Sequence, residues 1–136
     1  MEKIIGCETF WVAINTKTRR PEQMILSHDH FEIHPLDAIK NGFEKIQIPN
    51  DLNNIKTRKI ELSDLDIINH ANNVKYLEWC LDAIPSDIVL SKRIKSFELN
   101  YLRELNLNDE VKIGFTNNIF TLSKNDTISF LMKIEM

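Results

Sequence analysis

Residues 63–85 read SDLDIINHANNVKYLEWCLDAIP, a polar loop that passes directly into an apolar run. Asp64 and Asp66 supply carboxylates, His70 an imidazole, and Asn69, Asn72 and Asn73 short amides. Asn and Asp side chains accept hydrogen bonds from the backbone N–H groups that a first helical turn leaves unpaired, so a helix is predicted to start near Asn72. From Val74 to Ile84 the polar positions are Lys75, Glu78 and Asp82, one narrow stripe at helical period. Val74, Tyr76, Leu77, Trp79, Cys80, Leu81, Ala83 and Ile84 cover the rest of the circumference, which predicts a helix enclosed by other structure. Pro85 ends it, because proline lacks the N–H and disfavours a helical residue before it. A helix that begins among Asp, His and Asn points its unpaired N–H groups and positive dipole end at whatever negative charge develops there, and an acyl oxyanion suits such a place.

Working outward, Ile55–Leu62 ends in alternating charged and apolar residues and reads as a strand delivering the chain to Asp64. Downstream, in Ile94–Glu104, Phe97, Leu99 and Tyr101 share one face and Glu98, Asn100 and Leu102 the other, a second strand. EVKIGF, IFTLS and TISFLMKIEM follow, separated by short polar turns. Antiparallel strands after one helix make an α+β domain. Upstream, Glu8–Asn15 (ETFWVAIN) is aromatic and β-branched and reads as a strand stopped by Lys17, Arg19, Arg20 and Pro21. Residues 22–50 show no sustained period and read as a linker with short helical turns. His28, His30 and His34, with Asp29 and Glu32, lie in it without a clean metal-ligand spacing, so they are read as a solvated segment and no metal is expected.

The pattern Asp64-x-Asp66-x-x-x-His70-Ala71-Asn72-Asn73-x-x-Tyr76-x-x-Trp79 resembles the hot-dog fold thioesterase signature D-x-D-x-x-x-H-V-N-N-x-x-Y, and more closely that of acyl-ACP thioesterases. The resemblance implies an α+β hot-dog fold, a curved antiparallel sheet wrapped around one buried helix. It also implies hydrolysis of fatty acyl thioesters in fatty-acid biosynthesis, on an acyl carrier protein or acyl-CoA substrate, with no cofactor. Enzymes acting on the carrier protein resemble this chain with the second aspartate, Asp66, as catalytic; those acting on coenzyme A resemble it with the first, Asp64. His70 would orient or polarise, Glu104 matches the glutamate of the family's Glu-Cys pair, and Asn69, Asn72 and Asn73 would lie beside the substrate. The chain departs from the pattern at two places: Ile68 stands where family members commonly have Asn, and Leu105 where they have Cys. Family members carry two tandem hot-dog repeats, and the Glu8–Asn15 strand resembles the last strand of the first. Residues 1–50 are thus expected to be a remnant strand and linker, 51–136 the hot-dog domain, and a homodimer is expected to supply the missing half. The rival readings are a non-catalytic remnant that binds an acyl thioester or a partner, and a single-repeat acyl-CoA thioesterase.

The bulk properties narrow the field. A chain of 136 residues buries one core, and 43% hydrophobic with 27% charged residues is an ordinary globular balance. A net charge of −3 argues against nucleic acid as partner. Arg19 and Arg20, or Lys92, Arg93 and Lys95, are the candidate landing surface for an acidic carrier protein. Cys7 and Cys80 lack metal spacing, and Cys80 falls within the predicted helix as a packing residue, so a reducing cytoplasm is expected. The first fifteen residues lack the long apolar segment of a secretory signal, and no run approaches the roughly 20 apolar residues of a membrane span.

Overall fold

The computed structural model describes residues 5–18, 20–23, 25, 27, 30, 38–39, 44–91 and 94–136. His28 and His34, Asp29 and Glu32, Arg19, and Lys92 and Arg93 lie outside them. The chain divides into two compact units, Met1–Glu44 and Lys45–Met136.

In the first unit the stretch expected as a strand over Glu8–Asn15 forms a single bridged pair, Ile14 with Pro21. A tight turn joins them: the Asn15 side chain accepts from the N–H groups of Lys17 and Thr18, and Asn15 N donates to the Arg20 carbonyl. Lys17 and Arg20 therefore do mark a turn. The longer strand is absent because strand hydrogen bonds need a neighbour, and the described residues of this unit provide one only at that pair. Phe10 and Trp11 are accordingly exposed, at 70% and 79%.

The second unit is one sheet with helices. Strands β1 (Asn54–Lys59), β2 (Ser96–Tyr101), β3 (Glu110–Thr116), β4 (Ile119–Lys124) and β5 (Thr127–Glu135) are ordered β1-β3-β4-β5-β2, every pair antiparallel. β3, β4 and β5 form a meander whose two tight turns place Asn117, Asn118, Asn125 and Asp126 at positive φ, a conformation Asn and Asp tolerate better than other side chains. β1 and β2 lie on opposite edges, so the segment between them must cross one face of the sheet. That crossing carries helix α1 (Asn73–Leu81) and the short helix α2 (Ser86–Leu90).

Tyr76, Trp79 and Cys80 of α1 enter the core with Val111 and Ile113 of β3, Phe120 and Leu122 of β4, and Phe130, Met132 and Ile134 of β5. The helix is shorter and less enclosed than the sequence predicts. It stops at Leu81, Val74 is 57% exposed, and Leu77 and Leu81 are half-buried. One sheet covers one side of a helix, and the remaining apolar residues face away from it. Pro85 lies three residues beyond the Asp82 C-cap, so α1 ends before it. With φ fixed at −56° it is the N-cap of α2, an element the sequence reading does not contain.

Strand β2 is also shorter than the expected Ile94–Glu104. After Tyr101 the N–H groups of Leu102 and Arg103 both reach the Ser129 carbonyl, and the chain turns out of register. Its face assignment is as predicted at Leu99, half-buried against the core, and at Tyr101, whose ring meets Tyr76 and Phe130. Asn100 on the other face accepts from Ile46 N at 2.9 Å.

Candidate active site

Strand β1 ends at Lys59, and a single 3-10 turn, Leu62–Asp64, leads into the polar loop. The loop closes on itself through a bridge between Leu65 and Ala71, with Asp66 N donating to the His70 carbonyl at 2.8 Å. Asn69 takes φ 65° at the turn and donates its N–H to the Asp66 carbonyl. One oxygen of Asp66, Oδ1, accepts from the N–H groups of Ile68 (2.9 Å) and His70 (3.2 Å). The Asp66 carboxylate thus holds the loop in shape with one oxygen. Its second oxygen, Oδ2, has no donor among the described residues.

The His70 side of this loop pairs with the segment after β2. His70 bridges to Asn106, and Ala71 N donates to the Leu105 carbonyl at 2.8 Å. The pairing brings Glu104 beside the imidazole, with Glu104 Oε1 at 3.6 Å from His70 Nδ1. That is an ion-pair distance, longer than a hydrogen bond. His70 Nε2 has no partner among the described residues, and the ring is 27% exposed. Of the predicted residues, Asp66 is thus tied to the His70 backbone N–H, and the His70 imidazole lies beside Glu104.

Two tyrosines hold the arrangement against the helix. Tyr76 Oη accepts from the buried Leu105 N–H at 3.0 Å, and Tyr101 Oη donates to the Asn73 carbonyl at 2.9 Å. Burial pushes the Tyr76 phenol up to about 12, so it remains protonated at neutral pH. Tyr76→Phe should cost about 1–3 kcal/mol in urea denaturation, because the Leu105 amide would be left buried without an acceptor. The sequence offers Tyr76 as a core residue; its additional role in placing Glu104 depends on a contact 29 positions away and has no local signal. Leu105 itself is fully buried, a packing side chain where the resemblance has a thiol. Cys80 is also fully buried, and burial raises its thiol far above the usual range, as fits a packing residue.

Asp64 is placed differently. Its side chain is only 6% exposed and forms a 2.8 Å ion pair with Arg58, while Asp64 Oδ2 also accepts from Glu61 N. The Arg58 guanidinium lies 4.4 Å above the Trp79 ring. This Asp64–Arg58–Trp79 stack ties β1 to the loop and the helix. Arg58 was not singled out from sequence, since nothing local marks it.

Of the amides, Asn72 is the N-cap of α1: its Oδ1 accepts from Val74 N at 3.0 Å, and its own N–H reaches the Asp64 carbonyl. Asn73 opens the helix, and its N–H has no acceptor among the described residues. Asn69 makes the turn. Ile67 and Ile68 stand at the loop tip, 100% and 62% exposed. The described residues contain no group of three or more His, Cys, Asp or Glu arranged to hold a metal ion.

A five-stranded antiparallel sheet with helix α1 packed across one face is the hot-dog fold of thioesterases. The relatives agree. A structure of an acyl-ACP thioesterase from Bacteroides thetaiotaomicron superposes with TM-score 0.74 at 27% identity, covering 89% of this chain and 51% of that one. The 12:0-ACP thioesterase from Umbellularia californica superposes with TM-score 0.69 at 22% identity, a likeness of fold. In sequence, a chloroplastic dodecanoyl-acyl-carrier-protein hydrolase from Cinnamomum camphora is 35% identical over 115 residues, 76% of this chain and 29% of the relative. Residues 48–136 match the family model of the acyl-ACP thioesterase C-terminal domain. The chain belongs to that family. It spans about half of those solved structures and 29% of the Cinnamomum hydrolase.

Proposed function

We propose that the protein hydrolyses fatty acyl thioesters carried on acyl carrier protein, as part of fatty-acid biosynthesis. The observation that carries this reading is the loop before α1, in which Asp66 binds the His70 backbone N–H and the His70 imidazole lies beside Glu104. Hydrolysis adds water across the C–S bond. Asp66 Oδ2, the oxygen not spent on the loop, takes a proton from water as the water oxygen attacks the thioester carbonyl; alternatively the carboxylate attacks directly and water releases the acyl group afterwards. Glu104 beside Nδ1 orients the imidazole, while Nε2 faces the substrate. The Asn73 N–H and the positive end of α1 stabilise the oxyanion, which collapses to expel the thiolate; that thiolate takes up a proton.

Steady-state hydrolysis of acyl-ACP beside acyl-CoA tests the reading. Faster turnover of acyl-ACP supports it, faster turnover of acyl-CoA favours the single-repeat coenzyme-A enzyme, and no turnover of either leaves a binding protein. One observation favours a weakened enzyme: the side chain at position 68, an Asn in the resembling pattern, is here an exposed isoleucine whose backbone N–H donates to Asp66. Ile68→Asn is expected to raise kcat about tenfold, the worth of one hydrogen bond to a charged group, as read in initial rates.

The reading includes a homodimer working in the cytoplasm. It is supported by the outer edge of β2, a strand paired only with β5 among the described residues, by the 40% and 43% exposure of Phe97 and Tyr101 on that strand, and by two unpaired cysteines. Sedimentation equilibrium giving the mass of one chain would remove the dimer. The described residues include no helix long and apolar enough to cross a membrane.

A further inference from the structure

At the end of α1 remote from Asp66 and His70, the second unit holds an apolar cavity of about 280 Å³. Its walls are Ile55 of β1, Ala83 and Ile84 after α1, Ile88 of α2, Phe115 of β3 and Ile134 of β5. Nine helical residues rising 1.5 Å each set it about 13 Å from the helix start, and Tyr76, Trp79 and Cys80 fill the helix face between. It is therefore separate from the candidate active site. Asn118 is the polar residue among the lining, so a polar ligand would lose its water without finding partners. An enclosed apolar cavity of roughly 150 Å³ already accepts benzene; by that scale this half-open one has room for a hydrocarbon tail of about ten carbons. The mouth is not sealed, since Ile55 and Met136 are each 42% exposed.

Lys56 follows the lining residue Ile55 in β1. Its Nζ makes one long contact, 3.4 Å to the carbonyl of Asp82, the residue before Ala83. An ammonium with three protons keeps donors in reserve there. We propose that this cavity is a second site, which binds a free fatty acid with its tail among the isoleucines and its carboxylate at Lys56. The product of the proposed hydrolysis is of this class, and the inference rests on that reading only for the identity of the acid.

The test is a titration of the whole chain, with isoleucine methyl groups labelled for NMR, by decanoate and separately by decanol. Decanoate should shift the methyls of Ile55, Ile88 and Ile134 saturably. Shifts confined to Ile67 and Ile68 at the catalytic loop, or no saturable shift, overturn the proposal. Lys56→Glu should weaken decanoate about fivefold, the size of an exposed ion pair, and leave decanol unchanged; equal effects on both ligands would remove the carboxylate from Lys56. Ile88→Trp should weaken both ligands at least about tenfold by filling the space, and Ala83→Leu reports the same loss with a smaller intrusion. Unweakened binding in both variants places the acid elsewhere. His70→Ala should bind decanoate as the wild type does, so a failed hydrolysis assay and a failed titration remain separate results.

Discussion

Asp66→Asn is expected to lower acyl-ACP hydrolysis by roughly 100- to 10,000-fold, the usual contribution of a positioned general base, with a melting temperature close to wild type. Asparagine retains an Oδ1 that can accept from Ile68 N and His70 N, so the loop keeps the two bonds that shape it. What is lost is the proton-accepting Oδ2. Initial rates and a melting curve on the same preparation check both halves. A variant as active as wild type removes Asp66 from the chemistry, and one that is merely unfolded would show it as a structural residue. His70→Ala belongs beside it, because two groups acting in one step should lose much less together than the sum of their separate losses.

Asp64→Ala should behave in the opposite sense, costing about 3 kcal/mol of stability in denaturant unfolding. The carboxylate is nearly buried, and removing it leaves the Arg58 guanidinium over Trp79 without its counter-charge and the Glu61 N–H without its acceptor. Arg58 is 26% exposed, which holds the cost at the low end for a broken buried pair. If Asp64 were the catalytic carboxylate, Asp64→Asn would lower the rate of the still-folded protein as far as Asp66→Asn does. The paired result, stability lost at 64 and rate lost at 66, would separate two aspartates that the sequence leaves equivalent.

The seam at residues 63–85 was legible because its signals are local. Capping by Asn72, the helix that follows, and the turns at Asn117 and Asn125 depend on side chains bonding to their own neighbourhood or on φ preferences. The strand alternation that puts Leu99 and Tyr101 on one face is local too. What could not be read depends on distant contacts. The Arg58–Asp64 pair, the Tyr76 bond to Leu105 and the Glu104 position beside His70 arise only when β1, α1 and the end of β2 are folded together. The apolar circumference of α1 was read as full burial, whereas Val74 lies exposed and Leu77 half-exposed, because a residue's greasiness does not specify which layer covers it. Likewise ETFWVAIN has the composition of a strand, but its partner is a matter of the rest of the chain.

The placement of β1 and β2 at the two margins of the sheet also bears on the order in which the molecule comes apart. The hairpins β3–β4 and β4–β5 join neighbours in sequence and need little loop closure, whereas Asp66 and His70 hang from one margin and Glu104 from the other. Gentle warming should fray those borders while the central meander is still intact, so catalytic competence would fade before the spectroscopic signal of the sheet does.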